Sequence, residues 1–146
     1  MAGAPASEVR GPTLLFDTSA AVPLVLGDHE AHLSVMSATM GSAHGLSGHA
    51  WFETYSVLTR LPAGQRRSPV DVRRILDEAF PESRFLDAAA QMAFAVELPR
   101  LAIAGGAVYD ALVGAAARAH DLLLATRDRR AKATYDALGV RVLFID

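Results

Sequence analysis

The chain of 146 residues is long enough for one domain with a sizeable core and too short for two of ordinary size. Its 51% hydrophobic and 21% charged residues exclude disorder for the bulk of the chain, and the absence of cysteine excludes disulfides, thiolate nucleophiles and zinc–thiolate sites. A net charge of −2 argues against a protein that holds polyanions by its overall charge, so any basic surface must be local.

Residues 1–12 (MAGAPASEVRGP) read as a flexible lead without the basic start and apolar core of a secretory signal, and residues 13–146 as one domain. No apolar run reaches the roughly 18 residues of a membrane span, so a cytoplasmic location without membrane contact is expected. TLLF (Thr13 to Phe16) predicts a strand, and Asp17 or Thr18 caps the helix after it. A second helix is predicted from His29 to Met40, closed by Gly41. SAHGL then reads as a turn, with a cap near Ser47 opening a helix that Pro62 stops.

Ser68-Pro69 supplies an N-cap followed by proline at the first helical position, and Pro81 ends that helix. SRFLD reads as a short strand, AAAQMAFAVEL as a helix stopped by Pro99, and the helix carrying Asp110 as running from the Gly105-Gly106 break to His120. DLLLAT is a buried strand, RDRRAKATYDALG a loop and a helix ended by Gly139, and VRVLFID a last strand. Strands separated by helices imply an α/β fold, with a central parallel sheet of four to five strands flanked by helices on both faces.

Four acids stand out against that frame. In a parallel sheet, ligands gather beyond the carboxyl ends of the strands, where Asp17 and Asp128 both fall. Glu53 shares a predicted apolar stripe with Leu46, Ala50, Val57 and Leu61, and Asp110 one with Gly106, Val113 and Ala117. Asp110 has no cation three or four residues away, those places being held by Gly106, Ala107, Val113 and Gly114.

Two unit charges about 4 Å apart repel by roughly 4 kcal/mol at an effective dielectric near 20, so four converging carboxylates must be partly protonated or neutralised by a divalent cation. An all-oxygen site points to Mg²⁺ or Mn²⁺.

The strand followed by DTSA, the helix ETYSVLTRLP, the run YDALVGAAARAHDLLLATRDRR and the closing GVRVLFID together resemble a PIN domain of the VapC toxin type. The resemblance implies a single PIN-like domain with Asp17, Glu53, Asp110 and Asp128 as its four acids. It implies supporting hydroxyls at Thr18 or Ser19 and at Thr126, and places Asp121 at the wrong end of the sheet. It further implies a Mg²⁺- or Mn²⁺-dependent endoribonuclease acting on structured RNA such as transfer or ribosomal RNA, a homodimer, and a VapB-type antitoxin. Asp17, Glu53 and Asp110 would be the main ligands and Asp128 would hold a second ion or position water, while Arg127, Arg129 and Arg130 would hold RNA.

Two other readings compete. Asp17 as a covalent nucleophile would suit a phosphohydrolase, but DTS lacks the second aspartate of the D-x-D-x-T pattern. The alternative is a non-catalytic domain that binds RNA or a protein partner. His29 with His32, and His44 with His49, lack the surrounding ligand pattern of a known zinc motif, and Gly105-Gly106 lacks the lysine of a phosphate loop. Trp51, Phe52 and Tyr55 are expected to pack rather than to stack on bases.

Overall fold

A computed structural model describes residues 11–146, so the proposed lead lies outside the described residues but for Gly11 and Pro12. Chain order runs β1 (Thr13–Phe16), α1 (Thr18–Val25), α2 (His32–Thr39), β2 (Ala43–Leu46), α3 (Ala50–Thr59), α4 (Pro69–Ala79), α5 (Ala88–Arg100) and α6 (Ala107–Ala119). It continues with β3 (Leu123–Thr126), a 3-10 turn (Arg129–Ala131), α7 (Lys132–Leu138) and β4 (Val142–Phe144). The four strands form one sheet in the order β2-β1-β3-β4, every pairing parallel.

Both faces of the sheet are covered, which is why Leu14 to Phe16 and Leu123 to Ala125 of its central strands are apolar without alternation. Leu14 and Phe16 of β1, with Ala125 of β3, pack into a core with Ala21, Val35, Leu58, Val72 and Leu76 from α1 to α4. The intervening Leu15 and Leu124 point the other way, into a core with Phe94, Val113, Ala117, Tyr135 and Leu138 from α5 to α7. This is the two-residue alternation of a strand, read on two buried faces. None of the described helices is long and apolar enough to cross a membrane.

Several boundaries differ from expectation. SAHGL is not simply a turn: Ala43–Leu46 is strand β2, paired residue for residue with Thr13–Phe16. Conversely, SRFLD supplies no strand, only a single parallel bridge between Arg84 and Ser47. Glu82 N donates to His44 O and Arg84 N to Leu46 O, each at 3.0 Å, so this segment satisfies the open edge of β2.

Gly45 permits that approach, since a Cβ there would overlap the Glu82 carbonyl and lie 2.7 Å from Ser83 N. The second helix starts at His32 rather than His29, because His29 Nδ1 accepts the Ala31 amide at 3.0 Å and holds a turn. Pro99 sits inside the last turn of α5, where it removes only one hydrogen bond.

Candidate active site

Parallel strands bring all their carboxyl ends to one edge, and the segments leaving that edge carry the acids. Asp17 follows β1 and caps α1, accepting the Ala20 amide at 3.2 Å. β2 leads into α3, with Glu53 in its first turn. α6, which leads into β3, carries Asp110 in its first turn. Asp128 follows β3 and caps the 3-10 turn. Three α-helix N-termini thus meet the acids with their positive ends, which offsets part of the repulsion.

Asp17 is 5% exposed and anchors the group. Ser19 Oγ donates to its Oδ1 at 2.6 Å, Tyr135 Oη to its Oδ2 at 3.1 Å, and the Thr126 hydroxyl also donates to Oδ2. Burial raises its carboxyl above the ordinary value, and the bonds from Ser19, Thr126, Ala20 and Tyr135 work the other way. Tyr135 is itself pushed up by burial and by the charge of Asp17, so it remains a donor.

Glu53 lies on the flank of its helix, 38% exposed at the side chain, because the buried face of α3 is Ala50, Thr54 and Leu58. This corrects the predicted stripe: Leu46 belongs to β2 and Leu61 follows the helix. Thr18 Oγ1 donates to Glu53 Oε2 at 3.1 Å, and His49 Nε2 lies 3.4 Å from Oε1.

The Asp110 carboxylate makes no hydrogen bond or ion pair among the described residues. Its carboxyl is raised by burial first, then by the charges of Asp128, Glu53 and Asp17, with Arg130 acting in the opposite direction. All four acids therefore share one electrostatic neighbourhood. Among the described residues no three acidic or imidazole groups close on a single point as they stand. Asp121 sits before β3, bonded to Arg141 Nη2 through its carbonyl at 2.9 Å.

The donor set nevertheless suits a hard divalent cation, being all oxygen and short of positive charge. Asp17 accepts four hydrogen bonds, about as many as a carboxylate has lone-pair sites. Ser19 Oγ and Thr126 Oγ1 are 3.3 Å apart, so either hydroxyl can turn its proton to the other and free an Asp17 lone pair.

The arginines are less free than their sequence implies. Arg127 N donates to Ser19 Oγ at 2.8 Å while its Nε is buried without a hydrogen bond. Arg129 pairs with Asp146 at 2.7 Å and lies over the Phe144 ring, and Arg130 pairs with Asp128 at 3.2 Å. Trp51 and Tyr55 stack and pack against the core, whereas Phe52 is exposed. The histidines serve locally: His32 Nδ1 bonds with Pro23 O at 2.8 Å, and His44 Nε2 with Thr39 O at 3.0 Å.

Sequence reasoning overlooked Tyr135 and weighed His49 only as a zinc ligand. The first carried only a faint signal, a tyrosine on the last helix facing small residues of α6. A Cβ on Gly114 would come within 3.0 Å of the Tyr135 ring.

A PIN domain family model matches residues 14–137. Ribonuclease VapC27 of Mycobacterium tuberculosis is 46% identical over 132 residues, spanning 90% of this chain and 96% of the relative. Ribonuclease VapC40 of the same organism is 42% identical over 127 residues, spanning 86% and 94%. Among solved structures, the fold is similar to VapBC2 from Rickettsia felis bound to a DNA fragment from their promoter, with TM-score 0.64, 13% identity, and 92% of this chain and 99% of that one covered. It is also similar to Mycobacterium tuberculosis VapC20, a sarcin-ricin loop cleaving toxin, with TM-score 0.62, 20% identity and coverage of 82% and 93%. At those identities the solved structures bear on the fold, and the closer sequence relatives on the family. The chain belongs to the PIN domain family, as a member of its VapC type.

Proposed function

We propose that residues 13–146 form a divalent-metal-dependent endoribonuclease, the toxin of a toxin–antitoxin pair, cleaving structured RNA in the cytoplasm. The observation that carries this is the gathering of four carboxylates from remote segments at one sheet edge, where burial first and then the charges of Asp128, Glu53 and Asp17 raise the Asp110 carboxyl. Support comes from the ribonuclease names of the sequence relatives and from the sarcin-ricin loop cleavage attributed to VapC20. The VapBC2 likeness supports a VapB-type antitoxin as partner. The family resemblance adds a homodimer.

Asp17, Glu53 and Asp110 are the residues that would hold Mg²⁺ or Mn²⁺, with Asp128 holding a second ion or orienting water. A bound divalent cation supplies an activated water and charge neutralisation at the scissile phosphate. Ser19 and Thr126 fix the Asp17 carboxylate, Thr18 aims Glu53, and Tyr135 shares Asp17 Oδ2 with Thr126. Arg127, Arg129 and Arg130 line the approach for the RNA backbone, the last two by exchanging their carboxylate partners Asp146 and Asp128 for phosphates. Covalent attack by Asp17 is disfavoured, since its oxygens already accept four donors.

The test is incubation of the protein with total RNA, with and without Mg²⁺, followed by mapping of new 5′ ends. New ends that require the metal and vanish in Asp110→Ala are expected. Identical ends without metal, or undiminished cleavage by that variant, refute the assignment.

A further inference from the structure

At the lip of the carboxylate site, the His49 imidazole and the Tyr109 phenol stack with centroids 5.2 Å apart and planes 23° from parallel. The pair joins two of the acid-bearing helices, since Tyr109 directly precedes Asp110 on α6 and His49 is the N-cap of α3. His49 Nε2 also lies 3.4 Å from Glu53 Oε1. Tyr109 is 53% exposed although aromatic, and the helix carrying it is otherwise buried along Ala111, Val113, Ala115 and Ala117. An aromatic face held flat by a second ring, open to solvent and one residue from a reactive carboxylate, has the geometry on which an unstacked base rests.

We infer that Tyr109, backed by His49, is the stacking platform for the base of the nucleotide next to the scissile phosphate. This rests on the ribonuclease reading and adds to it a base-binding element distinct from the arginines. Stacking accepts any base, so the platform fixes the distance from base to cleaved bond without choosing sequence. It also demands that the nucleotide be splayed from its neighbours, which favours loops over duplex.

The test uses the full chain made cleavage-deficient by Asp17→Asn, a labelled mixed-sequence hairpin RNA, and fluorescence anisotropy in Mn²⁺. Adding Tyr109→Ala should weaken RNA binding by about 5- to 150-fold, and Tyr109→Phe should stay within about twofold of the parent. In the otherwise native chain, Mn²⁺ affinity by calorimetry should be unchanged by Tyr109→Ala, since the ring holds no metal ligand. Undiminished RNA binding by Tyr109→Ala overturns the platform, as does a Tyr109→Phe variant as weak as the alanine one. Cleavage of total RNA by the native chain separates the two levels: a native chain that neither binds nor cuts RNA overturns the ribonuclease reading as well, whereas one that cuts normally leaves the platform alone in error.

Discussion

Replacing Tyr135 by phenylalanine isolates one donor to the buried Asp17 while leaving the ring in its place against Gly114. A hydrogen bond to a charged group contributes about 1.5–3 kcal/mol, so metal-free Tyr135→Phe should lose that much at neutral pH. For a chain of this length that corresponds to a melting temperature lower by about 3–12 °C. The loss should depend on pH in a defined direction.

Burial raises the Asp17 carboxyl, so the folded protein keeps that proton to higher pH than the unfolded chain does. Its stabilising share is complete below the ordinary aspartate range and is lost as pH rises through the folded value. Tyr135 opposes the rise, and without it the decline with pH steepens. Below the ordinary aspartate range, where Asp17 is neutral in both states, the phenol–carboxyl bond contributes only about 0.5–1.5 kcal/mol. Urea unfolding in EDTA at both pH values measures the difference. Equal losses at the two pH values, or none at neutral pH, would refute the reasoning.

Asp110→Asn should stabilise the metal-free protein at neutral pH, because its raised carboxyl makes the ionised form a liability there, and should weaken Mn²⁺ binding; calorimetry and urea unfolding on one preparation read both effects. Gly45→Ala should cost about 1–3 kcal/mol by pushing the Glu82 backbone off the β2 edge, which the urea midpoint reports; a neutral result would mean that the segment is not pressed there. Changing Arg129 and Arg130 to alanine should lower the salt slope of RNA binding by about 1 for each phosphate no longer neutralised, with little effect on metal affinity.

The parts of the fold that could be read along the chain were those with local causes. β1 and β3 carry unbroken apolar runs, Leu14 to Phe16 and Leu123 to Ala125, and Asp17, Ser68 and Gly139 mark helix ends by their own side chains or backbone. β2 escaped because AHGL is a strand only through its pairing with β1 and the backbone that Gly45 admits. Asp110 was legible from the absence of any nearby cation. Glu53 sits one step further out than its spacing implies, since Thr54 can occupy the buried face by donating to Ala50 O at 2.7 Å. Tyr135 left only a faint trace along the chain: its partner lies 118 residues away, and no periodicity links them.

That separation bears on when the protein becomes dangerous to the cell that makes it. A chain still being synthesised can form β1 and α1, yet two of the four donors that hold Asp17, Thr126 and Tyr135, belong to β3 and α7. Until those segments have emerged and paired, the first acid has no fixed orientation and the fourth is elsewhere. A polypeptide interrupted before β3 and α7 lacks these two donors and Asp128, and should be harmless.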